Sequence, residues 1–298
     1  MTLPKFDLLQ PSTLGEALEI LSTTQNAQPI AGGTALLAEM RGGRAASGVL
    51  VDRGAPAVLV DLGKLGDLHG VAPAANELVI GATTTIAELL KNPHVTERAS
   101  ILRDACSTFA SPLVRNRATI GGNVAQGSPA GDMAPALLVL DASIELRSVR
   151  GKRLVRAVDF WKGPRKTTRK SDEMVVSIRI PLSQTPWLSS WKKLGLRKAD
   201  AISVASAAVR LSLTADGKCE GARVAVGAVA PTPLRLAKSE NALVGKPISR
   251  EAIAQAAAAA AASSVPINDV RASVDYRRRV VEVLVRRALM EAAWEVLT

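Results

Sequence analysis

Two double-glycine turns, Ala31-Gly32-Gly33-Thr34 and Thr119-Ile120-Gly121-Gly122-Asn123, constrain this chain more than any other feature. Each is met on an apolar, strand-like stretch, Gln28-Pro29-Ile30 before the first and Arg117-Ala118-Thr119-Ile120 around the second. Paired glycines let a backbone approach a ligand with no Cβ in the way. Successive exposed N–H groups in such a turn form a concavity suited to phosphate oxygens. Two such turns in one chain point to a diphosphate gripped from both sides, and so to a dinucleotide.

The pattern around them alternates. Thr13-Leu-Gly-Glu16 reads as a capping box that opens a helix through Leu21. A buried strand at Gln28–Ile30 enters the first glycine turn, and Thr34 then caps a helix through Met40 that Gly42 and Gly43 end. Val58–Asp61 is the next strand. A second unit begins with the strand Leu78–Ala82 and the capping box Thr85–Glu88, which starts a helix over Ile86–Lys91. It continues with a helix over Ile101–Phe109, the second glycine turn, Ser128-Pro-Ala-Gly-Asp132 and an apolar helix to Leu140. Strands Ser143–Arg147 and Met174–Ile180 close it.

The chain changes character between Pro181 and Pro186. Beyond lie strands Ile202–Leu213 and Ala222–Val229, joined through Asp216-Gly217. Helices over Leu236–Val244, Ser249–Ser263 and Val274–Leu297 follow, the last with Arg278–Glu282, Glu282–Arg286 and Arg287–Glu291 at ion-pair spacing. The expected class is α+β, with one domain over 1–182, itself split near residue 60, and a smaller α+β domain of strands and helices over 187–298.

Composition narrows the function. The net charge of +11 suits an anionic partner, but only 3% of residues are aromatic. The basic residues are scattered with no rings between them to stack bases, which argues against nucleic acid. The densest basic run, Lys162 to Lys170, reads as a solvated loop. Cys106 and Cys219 stand far apart, too few for a zinc or iron–sulfur site. The N-terminus lacks an apolar signal core and no run is long and apolar enough for a membrane span, so a cytoplasmic location is expected. His69 and His94 read as surface residues, and no Gly-x-Gly-x-x-Gly or Gly-Lys-Ser/Thr motif occurs.

Ala31-Gly-Gly-Thr-Ala-Leu-Leu and the long run Thr119-Ile-Gly-Gly-Asn-Val-Ala-Gln-Gly-Ser-Pro-Ala-Gly-Asp132 resemble the two FAD-pyrophosphate loops of the medium, flavin-binding subunit of molybdenum hydroxylases. That group includes carbon monoxide dehydrogenase and xanthine dehydrogenase. Lys193-Leu-Gly-Leu-Arg197, Ala228-Val-Ala-Pro-Thr-Pro-Leu-Arg235 and Asp275-Tyr-Arg-Arg-Arg279 resemble markers of its C-terminal domain, so the likeness covers nearly the whole chain.

The resemblance implies a two-part FAD-binding fold of the vanillyl-alcohol-oxidase-like type followed by the smaller domain. It implies that Pro29, Ile30, Ala31, Gly32, Gly33, Thr34, Ala35 and Leu36 wrap the pyrophosphate, opposite Thr119, Ile120, Gly121, Gly122 and Asn123. Backbone N–H groups and the Thr34, Thr119 and Asn123 side chains would donate. Asp132 would accept from a cofactor hydroxyl, or simply cap its helix; Val175 would be an apolar wall. Phe109 is a flavin-ring contact or a core residue, and Lys193 a cation beside the flavin or a surface lysine. Thr34, where some related flavoproteins carry a histidine, implies non-covalent FAD. No catalytic residue and no metal is assigned to this chain. Molybdopterin and [2Fe–2S] clusters are expected in two partner subunits, and the acceptor could be NAD⁺, oxygen, a quinone or a carrier protein. The rival readings are a self-contained flavin reductase or oxidase of the same fold, and a non-catalytic scaffold with a basic docking surface.

Overall fold

A computed structural model describes residues 3–42, 56–183 and 185–297. The N-terminal layer is a three-stranded parallel sheet of Asp7–Leu9 (β1), Ala27–Ile30 (β2) and Val58–Asp61 (β3), in the order β1-β3-β2. The helix Leu14–Thr23 covers it through Ala17, Leu18 and Leu21. Thr13 Oγ1 accepts from the Glu16 N–H at 3.2 Å, but the Glu16 carboxylate turns to the Ser12 N–H and hydroxyl. The expected box is therefore half formed, because Ser12 competes with the cap residue for the carboxylate. The helix after the first glycine turn runs over Leu36–Gly42; Gly43, the other expected terminator, lies outside the described residues.

A five-stranded antiparallel sheet follows. Val71–Ala74 (β4) and Glu77–Gly81 (β5) form its first edge, and Ser143–Ser148 (β6) and Gly151–Arg156 (β7) its second. A hairpin of Trp161–Gly163 (β8) and Lys166–Thr167 (β9) precedes the central strand, Met174–Pro181 (β10), which completes the order β4-β5-β10-β6-β7. The box at Thr85–Glu88 is complete, with each residue's backbone N–H held by the other's side chain at 2.8 and 3.2 Å. The helix expected through Phe109 spans Ser100–Ser107 and leaves Phe109 in the turn beyond it.

Alternation along β10 joins two cores. Met174 and Val176 point into the core of the parallel layer with Leu18, Leu21 and Val60, while Val175, Ile178 and Ile180 belong to the core of the antiparallel sheet. A register shift between Val175 and Ser177 marks the changeover. A cleft lies between the two layers.

The C-terminal domain is a four-stranded antiparallel sheet: Leu188–Gly195 (β11), Ser203–Leu213 (β12), Cys219–Gly227 (β13) and Leu234–Arg235 (β14). Helices Arg250–Ser263 and Val274–Ala292 cover one face with Ile253, Ala256, Ala260, Val281 and Leu284. The other face packs on the first domain: Trp191, Ala208 and Ala225 join its core beside helix Met133–Val139. Covered on both sides, β12 is almost wholly buried. The last helix breaks at Ala293 rather than continuing to Leu297. Of its three expected ion pairs only Glu282–Arg286 is formed, at 3.8 Å, since Glu291 reaches across to Lys192 instead.

Candidate functional site

The cleft has a volume of about 690 Å³ and is lined by both glycine motifs. The glycines are required first of all by packing. A Cβ on Gly32 would lie 1.8 Å from the Arg117 carbonyl oxygen, and one on Gly121 would lie 2.7 Å from the Ala82 carbonyl oxygen. The first turn thus rests directly on the backbone that enters the second motif. Gly33, at φ +70°, adopts a left-handed conformation that favours glycine.

The two motifs differ in what their backbones offer. In the first, the N–H groups of Gly32, Gly33, Thr34 and Ala35 find no acceptor among the described residues. The second is not a loop but the first turn of helix Ile120–Gln126, with Thr119 as its N-cap. Its N–H groups already have partners. Ile120 donates to Thr84 O at 3.0 Å, Gly121 to Ala82 O at 2.9 Å, Gly122 to Thr119 Oγ1 at 3.1 Å and Asn123 to Thr119 O at 3.0 Å. The expectation that this backbone donates to a ligand is corrected for that reason. What the second motif brings to the cleft is side chains, Thr119 and Asn123. The Asn123 Oδ1 atom is buried and has no partner, which a buried amide rarely tolerates unless a ligand supplies one.

Of the expected site residues, Pro29 through Leu36, Phe109, Thr119, Gly121, Gly122, Asn123 and Val175 line the cleft. Phe109 both lines the cleft and packs on the core. Ile120 is fully buried behind the cleft. Asp132 and Lys193 are not in the lining. They face each other in a buried ion pair, Lys193 Nζ to Asp132 Oδ2 at 2.5 Å, and Ser203 Oγ donates to Asp132 Oδ1 at 2.6 Å. Both carboxylate oxygens are therefore engaged. Burial pushes the Asp132 carboxyl above its ordinary range against the pull of Lys193 and Ser203. The Asp132 side chain makes no hydrogen bond to its helix, so the capping reading fails as well, and Lys193 is not a surface lysine.

The basic run is the clearest omission from the sequence reading. Pro164, Arg165, Lys166, Thr167 and Arg169 line the cleft from the β8–β9 hairpin, where a solvated loop is expected. Arg165 pairs with Glu39, whose Oε1 also accepts from Gln126 Nε2 at 3.0 Å. The Arg165 N–H donates to Gly127 O at 2.8 Å. Three elements are tied together at this end of the cleft, and guanidinium groups there suit phosphate oxygens. The turn dipeptide Gly163-Pro164 inside the run was the available signal. The result is a groove with a row of free N–H groups, an unpartnered amide oxygen, a basic rim, and the apolar Phe109 and Val175. It fits an elongated anionic ligand with an aromatic part.

Comparison with known proteins agrees with this geometry. Residues 4–183 match the family described as FAD binding domain in molybdopterin dehydrogenase, and residues 190–292 the CO dehydrogenase flavoprotein C-terminal domain. The chain is 34% identical over 288 residues to the carbon monoxide dehydrogenase medium chain of Afipia carboxidovorans, spanning 96% of each. It is 32% identical to the nicotine 6-hydroxylase medium subunit of Paenarthrobacter nicotinovorans, over 98% of this chain and 99% of that one. Among solved structures, the reconstituted CO dehydrogenase from Oligotropha carboxidovorans superposes with a TM-score of 0.92 at 33% identity, covering 99% of both chains.

Proposed function

The chain belongs to the family of FAD-binding medium subunits of molybdenum hydroxylases, and from that premise we propose that it is the electron-transfer subunit of such an enzyme. It works with an iron–sulfur subunit carrying [2Fe–2S] clusters and a large subunit carrying molybdopterin, and it delivers electrons to an external acceptor. Bound FAD supplies a carrier that exchanges electrons singly or in pairs. The rest is done by this chain's residues.

The observation that carries the proposal is one cleft lined by Gly32 to Ala35, whose four N–H groups have no acceptor among the described residues, and by Asn123, whose buried Oδ1 has no partner there. The N–H row holds the pyrophosphate, with the Thr34 and Thr119 hydroxyls beside it. Asn123 accepts from a cofactor hydroxyl, and Arg165, Lys166 and Arg169 set a positive potential at the rim. Phe109 and Val175 exclude water from the flavin. Cys106 and Cys219 are free and buried, which suits the reducing cytoplasm. The names of the relatives already span carbon monoxide and nicotine, so the choice of substrate rests with the large subunit.

The visible spectrum of the purified chain, before and after acid precipitation, tests the site. Flavin bands that pass into the supernatant as FAD are expected. A colourless chain that cannot be reconstituted with FAD would refute the proposal and favour the scaffold reading. Co-purification of iron- and molybdenum-containing subunits from the native host then separates the electron-transfer role from that of a self-contained reductase.

A further inference from the structure

The turn Thr108–Phe109–Ala110 carries Phe109 into the cleft wall, and both domains hold it: within the first, Thr108 Oγ1 donates to Ala105 O and the Phe109 N–H to Cys106 O, each at 3.2 Å. From β11, Trp191 Nε1 donates to Thr108 Oγ1 at 2.9 Å and Lys193 Nζ to the Thr108 carbonyl oxygen at 2.9 Å. The Asp200 N–H donates to Ala110 O at 3.2 Å. From the first domain, Arg115 Nη1 donates to Phe109 O at 2.6 Å. Ala110 sits at φ +39°, a conformation an alanine keeps only when its surroundings impose it.

Lys193 is itself aimed. Its ammonium lies between Thr108 O and Asp132 Oδ2, neither of them in the cleft lining, and Ser203 of β12 fixes the other Asp132 oxygen. The Asp132–Lys193–Ser203 group is thus a clasp between the two domains that reaches the Phe109 turn through the Thr108 carbonyl oxygen.

We infer that Lys193 and Trp191 are positioning residues: the C-terminal domain sets the placement of the Phe109 wall through Thr108, and Asp132 serves to aim Lys193. The inference rests on the cleft being the FAD site. It departs from the direct contact with the flavin that family resemblance implies for Lys193.

A double-mutant cycle on the full-length chain tests it, with the FAD dissociation constant read from flavin fluorescence. Lys193→Met and Thr108→Val should each weaken FAD binding about tenfold in the parent chain, but less than about twofold when Phe109 is already leucine. Thr108→Val guards the experiment, since it leaves the buried Asp132–Lys193 pair intact while removing the Trp191 contact and the hydroxyl's own bond to Ala105 O at 3.2 Å. Equal losses with and without Phe109 would show that Lys193 acts on the cofactor directly and overturn the inference. So would single variants with unchanged affinity. A parent chain that binds no FAD would instead overturn the site itself, a result separable from either.

Discussion

The two glycine motifs look alike in sequence and behave differently in the fold. The first is an open turn whose N–H groups from Gly32 to Ala35 find no acceptor among the described residues; the second is a helix start whose N–H groups from Ile120 to Asn123 are all occupied. Sharing a dipeptide, they divide the work: one supplies backbone donors, the other supplies side chains and a rigid bed. A Gly-Gly pair therefore signals a close approach, but what approaches has to be found by accounting for every N–H.

Substitution separates the two roles. The largest effect is expected from Gly32→Ala or Gly121→Ala, because each Cβ would collide with backbone that cannot move aside. A loss of about 3 kcal/mol or more in urea unfolding is predicted, together with loss of flavin. Near-normal stability would show that the packing argument is wrong. Asn123→Ala should do the reverse. Removing an unpartnered buried amide leaves stability nearly unchanged, while FAD affinity falls about tenfold, or ~1.4 kcal/mol. If stability falls and affinity holds, Asn123 is structural.

Gly33→Ala is predicted to cost about 1 kcal/mol of stability, the usual penalty for a side chain in left-handed backbone. It should also weaken FAD, since the free N–H row is tilted by any relaxation; unchanged binding would move the phosphate elsewhere. The smallest effect belongs to Glu39→Gln, which leaves Arg165 without its counter-charge in a partly exposed pair. A stability change under about 1 kcal/mol is expected. Flavin release, followed by stopped-flow fluorescence, should become faster if the tie holds the cleft closed. Slower release would mean that Arg165 binds the cofactor better once freed.

Much of this was legible beforehand where the cause is local. Thr85–Glu88 forms its box because both partners lie within one helical turn and nothing else competes. The first glycine turn enters from a strand as expected. Legibility failed where a distant group decides. Ser12 diverts Glu16, and Lys192 diverts Glu291 from its neighbours on the helix. β11 was missed because Ser189, Ser190, Lys192 and Lys193 dilute its apolar pattern, and the lysines have partners remote in sequence. Asp132 and Lys193 were expected beside the cofactor, and no spacing rule could reveal that they face each other instead.

The shared strand β10 has a consequence for how the molecule comes into being. Met174 and Val176 finish a hydrophobic core whose other members come from residues 17–68. During synthesis the N-terminal layer must wait, incomplete, while the ribosome delivers the whole antiparallel sheet, and contacts so far apart in sequence are slow to form. Until β10 docks, the cleft also lacks the part of its lining that Met174 and Val175 supply. A nascent chain halted before Met174 would be a protease substrate and a chaperone client rather than half of a flavoprotein.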